Sequence, residues 1–135
     1  CIATLHANNA NQAIDRIMHL VPADQHGKLL FDLALNLRGI IAQQLIPTCD
    51  GHGRVAAIEI LLNSPYIAEL IKKGDIGGIK EVMQKSKELG MQTFDGALFE
   101  LYQKGSINYA DALHHAGGAG SLSGVTIDGL GPKDE

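Results

Sequence analysis

The sequence contains no tryptophan, and its aromatic content is only 4%. Any core it builds must therefore be mostly aliphatic. Cysteine occurs twice, at Cys1 and Cys49, without the short spacing of a zinc site. Nothing else points to an oxidising compartment, and the sequence leaves open whether the two thiols pair. No secretory leader and no apolar run long enough to span a bilayer is present, which predicts a cytosolic protein. Eleven Lys and Arg stand against fifteen Asp and Glu, for a net charge of −4. The basic residues are scattered, with Lys72–Lys73 the one tight pair, so a nucleic-acid surface is not expected. The phosphate-loop pattern G-x-x-x-x-G-K-[ST] is missing, as is the G-x-S-x-G turn. Gly74-Asp75-Ile76-Gly77-Gly78 is glycine-rich but follows no strand and carries no Lys-Ser/Thr pair, so it does not read as a phosphate cradle. His114-His115 lack the Cys or acidic neighbours of a metal site, and no metal is expected. These residues draw no self-sufficient active site. The chain also opens on Cys1, inside what reads as a buried strand, which predicts a piece of a longer polypeptide.

What is present is globular in kind. An apolar fraction of 45% and a charged fraction of 19% over 135 residues suit one folded domain. Cys1–Leu5 is a short apolar run expected to form a central strand buried on both faces. Asn8-Asn9 can cap a helix to about Leu20, with Ala10, Ala13, Ile14, Ile17 and Met18 on one stripe. A second helix runs from Pro22 to about Leu37 and is expected to end at Gly39. The turn-rich stretch around Asp50-Gly51-His52-Gly53 joins two runs, Ile40–Ile46 and Arg54–Leu62, as an antiparallel hairpin. In the second run Val55, Ala57, Glu59 and Leu61 share one face. Ala56, Ile58, Ile60 and Leu62 share the other, and this nearly all-apolar face is the one expected to be packed.

Beyond Asn63 the period becomes helical. Ser64-Pro65 opens a helix closed by Gly74, and Asp75 caps one expected to run to Leu89. Thr93 caps another carrying Phe94, Leu98, Leu101 and Tyr102. Asn108 with Asp111 resembles a capping box for a last short helix to His115. Gly117–Glu135 is Gly-rich and aperiodic, and is expected to be a flexible tail. The expected division is 1–62 alternating strands and helices, 63–116 a compact helical unit, and 117–135 the tail.

Three residues invite a functional reading beside a bland one. His6 follows the first run, and ligands of open α/β sheets collect at the carboxyl ends of strands; alternatively it caps local backbone. Arg16 beside Asp15 is either a solvated helix charge or one half of a directional ion pair across an interface. Glu59 in an apolar run must have an exposed face or a cationic partner such as Arg54 or Arg38.

Three stretches, in this order, resemble the retraction ATPases of type IV pili, the PilT and PilU kind. They are Thr4-Leu5-His6-Ala7 with Ala13-Ile14-Asp15-Arg16-Ile17, then Gly53-Arg54-Val55-Ala56-Ala57-Ile58-Glu59-Ile60, then Leu89-Gly90-Met91-Gln92-Thr93-Phe94-Asp95. The match runs from Cys1 to about His115. The resemblance implies an α/β fold: the C-terminal part of a RecA-like P-loop ATPase core (strand, helices, β-hairpin), followed by a small all-α unit. It implies a hexameric motor in the cytoplasm, peripheral at the inner membrane, that uses ATP and magnesium to drive pilus retraction. The phosphate loop would lie in the parent protein, upstream, so this chain is expected to bind no cofactor and hydrolyse no ATP alone. His6 would be the catalytic and nucleotide-contacting residue, and Arg16 would contact a neighbouring domain across the ring. Tyr66-Ile67-Ala68-Glu69-Leu70-Ile71-Lys72-Lys73 is similar to the helix that reads A-I-R-N-L-I-R-E in PilT-type members, but its Ala68 and Lys72 are closer to the accessory PilU-type pattern. Tyr66, Glu69, Lys72 and Lys73 are its candidate interface residues. The implied partners are other copies of the motor, the inner-membrane platform protein of the pilus and a paralogous retraction ATPase. The competing reading makes residues 63–116 a non-catalytic interaction module that docks the motor on that platform or on a partner ring.

Overall fold

A computed structural model describes residues 1–116. The expected tail lies outside the described residues. Among the described residues six α-helices and one hairpin follow in the order α1 (Ala10–Met18), α2 (His26–Asn36), β1 (Gly39–Pro47), β2 (Arg54–Leu62), α3 (Pro65–Lys73), α4 (Ile79–Lys85), α5 (Phe94–Gln103) and α6 (Tyr109–His115). Local chemistry explains most of these boundaries. Asn9 is extended, and its side chain accepts from the Gln12 amide at 2.8 Å, which starts α1. Ser64 does the same for the Ile67 amide ahead of Pro65. Gly74 closes α3 with φ +74°, a left-handed conformation that costs glycine nothing.

β1 and β2 pair antiparallel over their full length, from Gly39 opposite Leu62 to Pro47 opposite Arg54. Cys49 at the turn is held from outside, its amide donating to the Ser106 carbonyl at 3.0 Å. Gly39 sits inside β1 instead of ending the preceding helix, which stops at Asn36. The helix ends because Leu37 is extended, and β1 needs glycine at 39 because a Cβ there would lie 2.9 Å from the Leu61 carbonyl oxygen.

Two aliphatic cores flank the hairpin. One gathers Ala10, Ile14, Leu30, Leu61, Ile67, Ile71, Ile79, Met83 and Met91. The other gathers Ile46, Ala57, Phe94, Leu98, Ile107 and Ala112. Each draws residues from both sides of position 62, so the hairpin and the helices beyond it share their interiors.

Four expectations are corrected here. Cys1–Leu5 forms no strand; the segment is exposed, and Ile2 is fully so. A strand needs hydrogen-bonded neighbours, and among the described residues the sheet is β1 with β2 alone. The packed face of the hairpin is the one carrying Glu59, with Ala57 and Leu61 buried beside it. The nearly all-apolar face is the open one, where Ile41 is 75% and Leu45 50% exposed. The helix expected from Asp75 to Leu89 is broken into a 3-10 turn at Ile76–Gly78, then α4, then a second 3-10 turn at Lys87–Leu89. Two adjacent glycines at 77–78 weaken helix propagation there. Finally, Asn108 precedes α6 without a side-chain capping bond.

Candidate functional site

The hairpin and two helices meet at a buried carboxylate. Glu59 lies opposite Ala42 and is 6% exposed. Its Oε1 accepts from the Ala10 amide at 2.8 Å, and its Oε2 accepts from the Phe94 amide at 3.1 Å. Ala10 and Phe94 are the first residues of α1 and α5. The first N–H groups of a helix have no partner within it, and each helix N-terminus carries about half a positive charge. One carboxylate therefore satisfies a donor on each of two helices. The expected alternatives, an exposed face or an Arg54 or Arg38 partner, are both replaced by this arrangement. The overlooked signal was the helix start itself: the cap at Thr93 serves Gly96, at 3.1 Å, and leaves the Phe94 amide for another acceptor.

The segment Met91–Asp95 fastens the helices beyond residue 62 to the free edge of β2. Gln92 and Ile60 exchange both backbone hydrogen bonds, at 2.8 and 3.0 Å. The Gln92 side chain also donates Nε2 to the Ile58 carbonyl at 2.7 Å. Met91 is buried, and Asp95, 5% exposed, takes Lys80 Nζ at 2.9 Å. Sequence reasoning singled this stretch out as a motif without giving it a structural task. Its task here is to pin α4 and α5 to the hairpin. A cavity of about 270 Å³ opens beside it, lined by Met83, Met91, Thr93, Asp95 and Phe99 among others.

The candidate interface residues share one helix. Tyr66, Glu69, Lys72 and Lys73 are all exposed on α3, while Ile67, Leu70 and Ile71 are buried. Lys72 Nζ lies 3.7 Å from Glu69 Oε1 and 5.4 Å from the centre of the Phe31 ring. His6 is exposed, belongs to no helix or strand, and lies outside the lining of the cavity above. Arg16 is exposed near the end of α1. The anchor closest to His6 in sequence that is buried is the Ala10–Glu59 bond. Both cysteines are free and exposed.

The glycine-rich stretch at 74–78 does not fit a phosphate group. The Asp75 carboxylate already accepts from the Gly78 amide at 3.2 Å, and a Cβ at Gly78 would meet Asp75 Oδ2 at 2.9 Å. An acid occupies the place an anion would take. Among the described residues no cluster of three or more His, Cys, Asp or Glu side chains gathers to hold a metal ion, and no helix is long and apolar enough to cross a membrane.

Comparison with known proteins decides the family. Residues 1–110 match the model of the type II/IV secretion system protein family. This chain belongs to that family. Among the relatives of this chain, the type IV pilus ATPase PilU of Pseudomonas aeruginosa is 59% identical over 122 residues, which cover 90% of this chain and 32% of PilU. The type IV pilus retraction ATPase PilT of the same organism is 36% identical over 113 residues, covering 84% of this chain and 33% of PilT. The crystal structure of the pilus retraction motor PilT with bound ADP superposes with a TM-score of 0.77 at 33% identity, covering 88% of this chain and 33% of that one. The chain thus spans about a third of the length of these relatives, and that third is the C-terminal part of a RecA-like ATPase fold. The higher identity to PilU than to PilT agrees with the PilU-like pattern of α3.

Proposed function

We propose that this chain is part of a hexameric ATPase that drives type IV pilus retraction, closer to the PilU-type motor than to the PilT type. The observation carrying this reading is the 59% identity to PilU over 90% of the chain, supported by the fold shared with the ADP-bound PilT motor. In this reading ATP and magnesium bind in the parent protein and supply the phosphoryl-transfer chemistry. The chain's own contribution is to present His6 towards the nucleotide's terminal phosphate, to place Arg16 against a neighbouring domain of the ring, and to hold the helical unit 63–116 rigidly on the hairpin. The motor works in the cytoplasm at the inner membrane, against the platform protein of the pilus and in company with a paralogous ring.

The test is direct. The full-length parent hydrolyses ATP and supports twitching motility, residues 1–135 alone do not hydrolyse it, and His6→Ala lowers turnover in the parent. Unchanged turnover in that variant removes the role given to His6.

A second reading is favoured by the outward side of α3. Tyr66, Glu69, Lys72 and Lys73 leave this helix without charged or aromatic residues committed to the core, as a docking face would require. In this reading the helical unit is an interaction module with no part in chemistry. Substituting Tyr66 and Lys73 by Ala then abolishes motility while ATP turnover stays intact.

A further inference from the structure

Glu59 and Asp95 are the buried acids of the described residues, and Asp95 is paired with Lys80. Glu59 has a different set of partners. It is buried, it sits on the packed face of a sheet, and both its oxygens are spent on main-chain amides from elements far apart in sequence. An aliphatic residue there would complete the apolar face at no desolvation cost but would leave the Ala10 and Phe94 amides buried without acceptors. The charge also matches its surroundings, since two helix N-termini together present about one unit of positive charge to a carboxylate.

The two helices so joined differ in what they carry. Four positions before Ala10 stands His6, on a segment with no secondary structure of its own. The Asn8 amide bonds Gln12 Oε1 and the Asn9 side chain accepts from the Gln12 amide at 2.8 Å, but both bonds stay within the segment and its own helix. Its tie to the hairpin besides Ala10–Glu59 is the exposed bond from Gln44 Nε2 to the Asn8 carbonyl at 3.5 Å. An exposed bond of that length fixes little, so the buried Ala10–Glu59 bond, together with the packing of Ala10 and Ile14 in the first core, sets where the segment leaves the body of the protein. At the other oxygen, Phe94 opens α5, which Gln92 and Asp95 tie to β2 and α4.

We propose that Glu59 is a positioning residue for turnover: through the Ala10 amide it fixes the His6 segment, and through the Phe94 amide it locks that segment to the helical unit. The proposal rests on the reading of the parent as an ATPase, and it makes this side chain the hydrogen-bonded link between the nucleotide end and the helical end of the chain, beside the packing they share in the first core. Glu59→Gln is nearly isosteric, but its carboxamide offers one acceptor and turns an NH₂ group against the other amide, donor facing donor. One of the two helix starts must therefore be released.

The experiment uses the full-length parent, comparing wild type, Glu59→Gln and Leu98→Ala. Leu98 is 1% exposed in the second core and its side chain makes no hydrogen bond to Glu59 or to either helix start, so its variant loses stability while both Glu59 hydrogen bonds keep their partners. Hydrogen exchange is followed at the Ala10 and Phe94 amides, and kcat and KM for ATP are measured separately. In Glu59→Gln, exchange accelerates at one of these two amides, kcat falls at least tenfold and KM stays within twofold. Leu98→Ala, at equal or greater loss of melting temperature, keeps kcat within twofold. A Glu59→Gln enzyme with kcat within twofold of wild type overturns the proposal, and so does a Leu98→Ala enzyme whose kcat falls as far. If Glu59→Gln does not fold, Glu59→Asp, which keeps the charge but shortens the arm, is held to the same criteria. A wild-type parent without ATPase activity defeats the functional reading instead; the positioning role is then decided by exchange, and unaccelerated exchange at both amides overturns it.

Discussion

The two faces of the hairpin β1–β2 make an instructive contrast. One carries a carboxylate and is buried; the other is nearly all aliphatic and is open. Hydrophobicity alone ranks them in the wrong order. The charged face is inside because two helix N-termini arrive there with donors that need an acceptor, and a carboxylate bonded by two amides is no longer an uncompensated charge. On the aliphatic face Ile41, Leu45 and Leu62 remain 75%, 50% and 38% exposed.

The largest way to break this contrast is Glu59→Ala. It leaves two buried amides without acceptors at about 1–3 kcal/mol each, so a loss of about 2–6 kcal/mol is expected in denaturant unfolding. Leu61→Ala, two positions along on the same face and fully buried, is expected to cost about 2–5 kcal/mol. Ile41→Ala on the open face should stay within about 0.5 kcal/mol in the same measurement. If Ile41→Ala cost as much as Leu61→Ala, the open face would be packed in solution. The chain of residues 1–135 by itself is expected to self-associate through that face, since an exposed aliphatic sheet surface is poorly solvated. Sedimentation should show association that grows with concentration and vanishes in the double variant Ile41→Lys, Leu45→Lys.

The smallest expected effect lies at the hairpin's turn. The Thr48 hydroxyl, first, and the His52 amide, second, hydrogen-bond the Asp50 carboxylate and hold its pKa below the ordinary 3.8. A carboxyl depressed in the folded state adds stability that is complete above its ordinary value and disappears as pH falls through the lowered one. The difference in melting temperature between wild type and Asp50→Asn should therefore be small at neutral pH and close as pH drops below 3.8. A difference that stays constant through that range would show that Asp50 acts through shape and not through its charge.

The boundaries of most elements were legible because their causes are local. Asn9, Ser64-Pro65, Gly74 and Thr93 act on amides or dihedrals within a few residues, and the hairpin follows from two β-rich runs around a turn. The three motif stretches were enough to name the family. What was not legible depended on partners distant in sequence. Cys1–Leu5 has the composition of a strand, yet composition supplies no neighbouring strand. Gly77-Gly78 interrupts a helix whose apolar spacing continues through it.

The sequence by itself determined where helices begin, that Arg54–Leu62 alternates between two faces, and which family the motifs resemble, because each of these is fixed by residues close together in the chain. Only the tertiary structure decided which face of the hairpin turns inward and what Glu59 is for. Those answers reside in the Ala10 and Phe94 amides, 49 and 35 positions away, and a hydrogen bond between such distant residues exists only once the chain has folded.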